Sequence, residues 1–318
     1  MTAPALRGRA CPVCASHDAV PEIASGRPAD DQSLAELEPF WFGIDKQRQF
    51  FTYHRCQSCG LLYNRSFFDQ AQLARLYGAM PPNMDLVPDS AITATQAGYF
   101  RAAAARVALD GDYLEIGPDV GHIVAEAARA GQFDRFWLFE PNAAVHPRLR
   151  RAAGARATVL TEMTDLSPVP DAGVGLAVMV HVLDHLLDPL AMLTAIRRKL
   201  HPGGALMIVT HDEKSMLRRL LGARWPAFCL QHPELYNPVT ITALLGRAGF
   251  GSVEVTRSTN HFPVDFLARQ AAQALGVKIP RVPLPKRALR LRLGNMLTIA
   301  GAAADQAAAA PTRLESAA

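Results

Sequence analysis

Two Cys-x-x-Cys pairs stand near the start of the chain, Cys11-Pro-Val-Cys14 and Cys56-Gln-Ser-Cys59. Thiolates suit zinc, a borderline-soft ion without redox chemistry, and a spacing of two lets both sulfurs of a pair reach one ion. Four protein ligands leave no open coordination position, so the expected role is structural. Disulfides are the alternative, and His17 and His54 are nearby donors expected on the surface. A second constellation is the stretch Asp112-Tyr-Leu-Glu-Ile-Gly-Pro-Asp-Val-Gly121. It reads as a buried strand (Tyr113 to Ile116), a glycine turn (Gly117 to Gly121) and a helix (His122 to Ala130). The glycines let the backbone approach a ligand, and the helix start offers unpaired N–H groups. About twenty residues on, a second strand ends in Glu140, where an acid can accept both hydroxyls of a ribose. The spacing Gly-x-x-x-Gly leaves the nucleotide open. A third set is His181, His185 and His232, with Tyr236. Imidazole moves protons near neutral pH. His181 is expected to act as base or to position a cofactor, and His232 and Tyr236 to face the same mouth. His185 is expected to be a structural contact. His181, Asp184 and His185 also read as a metal group, but no further matching ligand is evident and none is expected there.

These residues need elements to hold them. From 112 to 212 apolar strands alternate with helices, which implies a parallel sheet covered on both faces. Thr158 to Leu160, Gly175 to Val180 and Leu206 to Thr210 are the later strands, and Pro189 to Leu200 is a helix stopped by His201-Pro202-Gly203-Gly204. In open α/β sheets the ligand lies outside the carboxyl ends of the strands. Those ends carry Gly117, Glu140, Thr161 with Glu162, His181, and His211 with Asp212. Met216 to Leu221 and Thr240 to Ala248 read as helices, and a polar, aromatic loop lies between them. Val253 to Arg257 and Phe262 to Ala268 read as an antiparallel hairpin on the sheet edge. Gln70 to Tyr77 and Tyr99 to Leu109 read as helices separated by the break Met80-Pro81-Pro82-Asn83, with Tyr77 or Tyr99 over a ligand or in simple packing. The aromatic run Phe40, Trp41, Phe42, Phe50, Phe51 and Tyr53 is expected to pack on the knuckles or the next domain.

The chain has 318 residues, 49% apolar and 19% charged. That is enough for one large and one small domain. No apolar run reaches bilayer length, and the first residues lack a signal-peptide core, so a cytoplasmic location is the expectation. The net charge of +4 belongs to one late run, Lys278, Arg281, Lys286, Arg287, Arg290 and Arg292, whereas residues 1 to 60 carry six basic and seven acidic side chains. That distribution argues against a broad nucleic-acid face. Lys286 to Met296 reads as a basic helix, solvated or touching an acidic partner or membrane surface.

Taken in order, Leu114-Glu-Ile-Gly117-x-x-x-Gly121, Glu140-Pro141-Asn142, His181-Val-Leu-Asp184-His185-Leu-x-Asp188-Pro189 and Leu200-His-Pro-Gly-Gly204 resemble class I S-adenosylmethionine-dependent methyltransferases over residues 98 to 270. Cys56-x-x-Cys59-Gly60-Leu61-Leu62-Tyr63 and Leu76-Tyr77-Gly78 look like the subgroup with an N-terminal zinc module, similar to sugar and natural-product C-methyltransferases. Asp119 stands where many members have glycine, and Gly175 near the place of an aspartate. The resemblance implies a Rossmann-like doubly wound sheet with a terminal antiparallel hairpin and a small zinc module. The implied boundaries are 1–64 for the zinc module, 65–110 for a helical cover, 111–272 for the cofactor domain, and 273–318 for a basic helix and alanine-rich tail. By the same resemblance Gly117 and Gly121 admit the methionine part of S-adenosylmethionine. Glu140, next to Pro141, holds the ribose, and Glu162 or Met163 borders the adenine. Asp119 or Glu115 offsets the sulfonium or amino charge. The implied reaction is methyl transfer to a small molecule such as a nucleotide sugar, glycan or natural-product intermediate. The alternatives are an RNA methyltransferase and a non-catalytic scaffold. The acceptor atom and the oligomeric state stay open.

Overall fold

The computed structural model describes residues 6–42, 49–78, 89–275 and 287–302. Seven strands form the main sheet: β1 (Asp112–Ile116), β2 (Phe136–Phe139), β3 (Ala157–Leu160), β4 (Val174–Val180), β5 (Leu200–His211), β6 (Phe250–Arg257) and β7 (Asn295–Ala302). Their order is β6-β7-β5-β4-β1-β2-β3. The first five are parallel, and β7 runs antiparallel to both β5 and β6. The helices of this part are α1 (Asp89–Ala104), α2 (His122–Ala130), α3 (His146–Ala153), α4 (Pro189–Lys199), α5 (Met216–Leu221), α6 (Pro238–Arg247) and α7 (Val264–Leu275).

Side-chain alternation along the strands sends residues to two faces. Tyr113, Leu138, Val178, Met207 and Ile299 meet Phe100 of α1, Ile123 and Ala127 of α2 and Leu149 of α3. Leu114, Ile116, Met179, Leu206 and Ile208 meet Leu193 and Ile196 of α4 and Leu244 and Leu245 of α6. A sheet buried on both faces needs strands that are apolar throughout, and β4 (Val-Gly-Leu-Ala-Val-Met-Val) is such a strand. Gly175 is required by backbone contact: a Cβ there would lie 1.9 Å from the Asp110 carbonyl oxygen.

The edge of the sheet differs from the sequence reading. The antiparallel pair is present, but its second strand is Asn295–Ala302, not 262–268. Only Asn260–Pro263 is extended in the latter stretch, and it pairs with Ala288–Leu291. From Val264 the chain is helical, with apolar residues recurring on one face of α7. The basic helix expected at 286–296 is therefore two strands over its described part, with Arg290 paired opposite His261. The seven-stranded sheet takes in β7, which lies beyond residue 272. Helix α1 spans Asp89–Ala104 rather than Tyr99 to Leu109. The break Met80-Pro81-Pro82-Asn83, the basic residues Lys278, Arg281 and Lys286, and the alanine-rich stretch after Ala302 lie outside the described residues.

The N-terminal region shares its core with the large sheet. Its strands Ala19–Ile23, Tyr53–Cys56 and Leu62–Asn64 form an antiparallel sheet completed by Glu234–Leu235, which comes from the connection between β5 and α6. The aromatic run packs where that connection reaches it: Phe50 and Tyr53 lie against Trp225 and Phe228, and Trp41 and Phe51 against Leu230. A buried ion pair closes the joint. Arg9 Nη2 donates to Glu234 Oε2 at 2.7 Å, with side-chain exposures of 7% and 0%. The same guanidinium reaches the carbonyls of Leu187 and Pro233.

Two outcomes follow from these contacts. Arg9→Ala leaves the Glu234 carboxylate buried without its cation, and denaturant unfolding should show a loss of about 3–5 kcal/mol. A chain ended at Gly294 lacks the strand that separates β5 from β6. It should fail to give the cooperative thermal transition of the full chain; a native-like transition in the truncated protein would contradict this sheet order.

Candidate active site

The turn expected to receive the cofactor is built from backbone geometry. Gly117, Asp119 and Gly121 have φ of +68°, +49° and +81°. Asp tolerates the left-handed region better than most residues, so Asp119 is accommodated in this turn. A Cβ at Gly117 would stand 2.7 Å from Val182 Cγ2, and one at Gly121 2.7 Å from Leu149 Cδ2. Glu140, at the tip of β2, reaches across this turn: its Oε2 accepts from the Asp119 N–H at 2.9 Å and its Oε1 from the Asn142 N–H at 2.8 Å. Burial raises its pKa from the ordinary value, against the pull of these two donors. A carboxylate has about four acceptor positions, so two N–H bonds leave room for a pair of hydroxyls. His122 begins α2 and is held by Thr93 and Asp89 of α1, which lays α1 beside the turn.

The other expected cofactor residues differ in character. Glu115 is 3% exposed and accepts a 2.6 Å bond from the Tyr113 hydroxyl. Burial, with Glu140 nearby, pushes its pKa up to about 8 against the lowering hydrogen bond from Tyr113. A carboxyl protonated at neutral pH does not offset a sulfonium charge. Pro141 is exposed beside Glu140. Glu162 is exposed and is engaged by the N–H and hydroxyl of Thr164, which lower its pKa, while Met163 packs partly against the core.

The histidines gather at the carboxyl ends of β4 and β5. His181, which follows β4, has φ +51°, a conformation that costs a non-glycine residue roughly 1–2 kcal/mol. Its ring lies 4.8 Å from that of His211, the last residue of β5, which lies 5.0 Å from His232, which lies 4.7 Å from His185. Asp184 sits among them with no exposed surface. Its Oδ2 accepts from Thr210 Oγ1 at 2.7 Å, and its Oδ1, buried without a hydrogen bond, is 3.9 Å from His185 Nε2. Burial alone would raise the Asp184 pKa, but the imidazoles of His232, His185, His211 and His181 hold it below the usual carboxylate range. His211 is lowered well below its ordinary value by burial and by His181 and His232.

Neighbours orient the rings. His232 Nδ1 donates to the Ala227 carbonyl at 2.6 Å, His211 Nδ1 to Asn295 Oδ1 at 2.9 Å, and His185 Nδ1 meets the Tyr77 hydroxyl at 2.8 Å. The Tyr53 hydroxyl donates to the His232 carbonyl at 2.7 Å. Tyr77 is thus a partner of His185. Tyr99 is buried against Ser258, Asn260 and Asn295, with its hydroxyl pushed up to about 12 by burial. Tyr236 does not reach the mouth: it is fully buried and its hydroxyl donates to Glu234 Oε1 at 3.2 Å, so packing with the N-terminal strands takes the side chain. His211 was legible only as a strand-end residue, and Asn295 lies on β7, the strand absent from the sequence reading.

The four N-terminal cysteines converge. Cys11 Sγ is 3.5 Å from Cys59 Sγ, and Cys14 Sγ is 3.5 Å from Cys56 Sγ. Each knuckle is closed by a backbone bond, Ala15 N–H to Cys11 O and Gly60 N–H to Cys56 O. Four sulfurs around a tetrahedral ion with bonds of about 2.3 Å stand roughly 3.7 Å apart, so the set fits zinc.

Residues 94–255 match the family model described as a methyltransferase domain. The chain belongs to this family, and its activity class is S-adenosylmethionine-dependent methyl transfer. A search of curated proteins gives no match. Solved structures with a similar fold include an S-adenosylmethionine-dependent methyltransferase from Thermotoga maritima (17% identity, 66% of this chain and 91% of that one, TM-score 0.45). Another is the 1,6-didemethyltoxoflavin-N1-methyltransferase of Burkholderia thailandensis with bound 1,6-didemethyltoxoflavin and S-adenosylhomocysteine (18%, 67% and 79%, 0.44). A third is an S-adenosylmethionine-dependent methyltransferase from Mesorhizobium loti (18%, 63% and 96%, 0.44).

The raised Glu115 pKa has a definite sign. Between the unfolded value of 4.5 and about 8 the folded chain holds a proton that the unfolded chain releases, so this group makes stability fall as pH rises through that window. Glu115→Gln should remove that slope. Thermal unfolding should show the variant gaining on the parent between pH 5 and pH 9; parallel curves would contradict the assignment.

Proposed function

We propose that the chain transfers a methyl group from S-adenosylmethionine to a small-molecule acceptor in the class of nucleotide sugars, glycans or natural-product intermediates. The observation that carries the cofactor part is Glu140, whose carboxylate is anchored to the Asp119 N–H over the left-handed Gly117–Gly121 turn. In this reading Glu140 takes the ribose hydroxyls, Pro141 and Met163 border the nucleoside, and the turn receives the methionine portion. The bound cofactor supplies an already activated methyl. The chain then has to place the acceptor in line with it and remove a proton. His181, His211 and His232 are suited to that task, because they cluster at the ends of β4 and β5 where a ligand on this sheet is expected. Zinc on Cys11, Cys14, Cys56 and Cys59 is structural, and it ties the strands that carry Tyr53 to the wall of the site.

An RNA acceptor has less support. A surface concavity of about 540 Å³ in the N-terminal region is lined by Gly8, Arg9, His17, His54, Arg65 and Ser66, but Arg9 is already paired with Glu234. The scaffold reading rested on Asp119 and Gly175, and both are accounted for by local geometry.

Calorimetric titration with S-adenosylmethionine and S-adenosylhomocysteine tests the cofactor site. Glu140→Ala should weaken binding by roughly 10- to 100-fold, the size of losing hydrogen bonds to a charged group. Equal affinity in the folded variant sinks the ribose role of Glu140, and absence of binding in the zinc-loaded parent sinks the catalytic reading.

A further inference from the structure

The histidine cluster holds more ligand chemistry than proton transfer requires. Ligand atoms of Asp184, His185 and His232 all lie within 4.8 Å of one another, as do those of His181, Asp184 and His211. The carboxylate is shared by both sets. A base needs one imidazole with access to the acceptor. Here a fully buried carboxylate lies among four imidazoles, and one of its oxygens, Oδ1, has no hydrogen bond. Leaving a buried charged oxygen without a donor costs about 1–3 kcal/mol or more.

The surrounding contacts fix which ring nitrogen faces inward. The acceptor of His232 Nδ1 is a backbone carbonyl, so that nitrogen carries the proton and Nε2 the lone pair. The same holds for His211, through Asn295 Oδ1. His185 turns Nδ1 to the Tyr77 hydroxyl and Nε2 to Asp184 Oδ1. Metal-binding histidines are oriented in this way, with the distal N–H held by a carbonyl or side-chain acceptor. An ion with bonds of about 2.0–2.2 Å sets its ligands roughly 3.3–3.6 Å apart. The observed 3.9 Å between Oδ1 and Nε2 closes to that distance with a small side-chain rotation.

We propose that Asp184, His185 and His232 bind a divalent first-row transition ion of the zinc class, in a site separate from the four cysteines. Two imidazoles and one carboxylate leave coordination positions open. His181 and His211 are partly exposed and lie on the other side of the shared carboxylate. The proposal rests on the methyltransferase reading for its role: the ion would lower the pKa of an acceptor hydroxyl, or of an enolisable carbonyl compound, that coordinates there. The acceptor proton would pass to His211 or His181. The new bond forms from the acceptor to the methyl carbon as the carbon–sulfur bond breaks, leaving neutral S-adenosylhomocysteine. The acceptor class is then narrowed to molecules with an oxygen donor at or beside the methylated atom.

Metal content tests the site without an acceptor. Untagged protein is stripped with chelator, reloaded with Zn²⁺, dialysed and assayed by plasma mass spectrometry. The parent should hold two ions per chain, and Cys56→Ser/Cys59→Ser, His185→Gln and Asp184→Asn one each. Because Asp184 is fully buried and its replacement tests folding as well as binding, the second readout uses the parent alone. Co²⁺ added after one equivalent of Zn²⁺ should give ligand-field bands without thiolate charge-transfer absorption. One ion per chain, lost only in the cysteine variant, or a second equivalent with no nitrogen and oxygen cobalt spectrum, overturns the proposal. Calorimetry with S-adenosylmethionine on the same samples separates the outcomes: cofactor binding with one ion present rejects the metal site and keeps the methyltransferase reading.

Discussion

A carboxylate without solvent has to be compensated by its neighbours, and Asp184 is the case on which this molecule converges. Its compensation comes from three segments: Thr210 and His211 on β5, His181 and His185 after β4, and His232 from the connection that follows β5. The rings of His185 and His211 are not placed by local sequence. Tyr77 orients His185, Ala227 orients His232, and Asn295 on β7 orients His211. The sheet, the N-terminal strands and the late antiparallel strand all have to be in position before the cluster has its geometry.

The N-terminal region is therefore part of the wall around the histidine cluster rather than an appendage. Tyr53 and Tyr77 both belong to it, and both touch the histidine cluster directly. The cysteine knuckles lie in the same core as Leu183, Tyr236 and Leu244. Arg9 and Glu234 fasten this joint with a largely buried ion pair. An ion on the cysteines would thus influence the active site through packing, at the strand that carries Tyr53.

Much of the fold was legible because its signals are local. The strand–turn–helix at 112–130, the strand ending in Glu140 and the apolar run of β4 each carry their pattern within ten residues. The cysteine pairs were legible for the same reason. The histidine cluster was legible only in part: His181 and His232 were placed at one mouth and His211 at a strand end, but the packing of all four rings around Asp184 was not, because it depends on sheet order. His181, Asp184 and His185 looked incomplete as a metal group for want of partners. His211 and His232 come beside them only in three dimensions. Strand β7 was missed because Leu-Thr-Ile-Ala-Gly-Ala is a weak strand signal next to a basic run and an alanine-rich stretch. Helix α7 was misread because its first residues, Val-Asp-Phe-Leu, have no periodicity in so short a window. Tyr236 looked exposed in a polar loop, yet the neighbouring Glu234–Leu235 joins the N-terminal sheet and takes it inward.

The position of β7 has a consequence for how the protein is made. Synthesis runs from the N-terminus, and β5 emerges with one side unpaired while β6, α7 and the short hairpin strand are still being translated. During that interval the nascent chain presents an open apolar strand edge, the feature most prone to pair with another chain. Because β7 fills that edge last, the pairing that completes the sheet is also among the most distant in sequence, and distant pairings form slowly. Yield in the cell should therefore be governed by how well the unfinished sheet is protected on the ribosome, more than by the stability of the finished one.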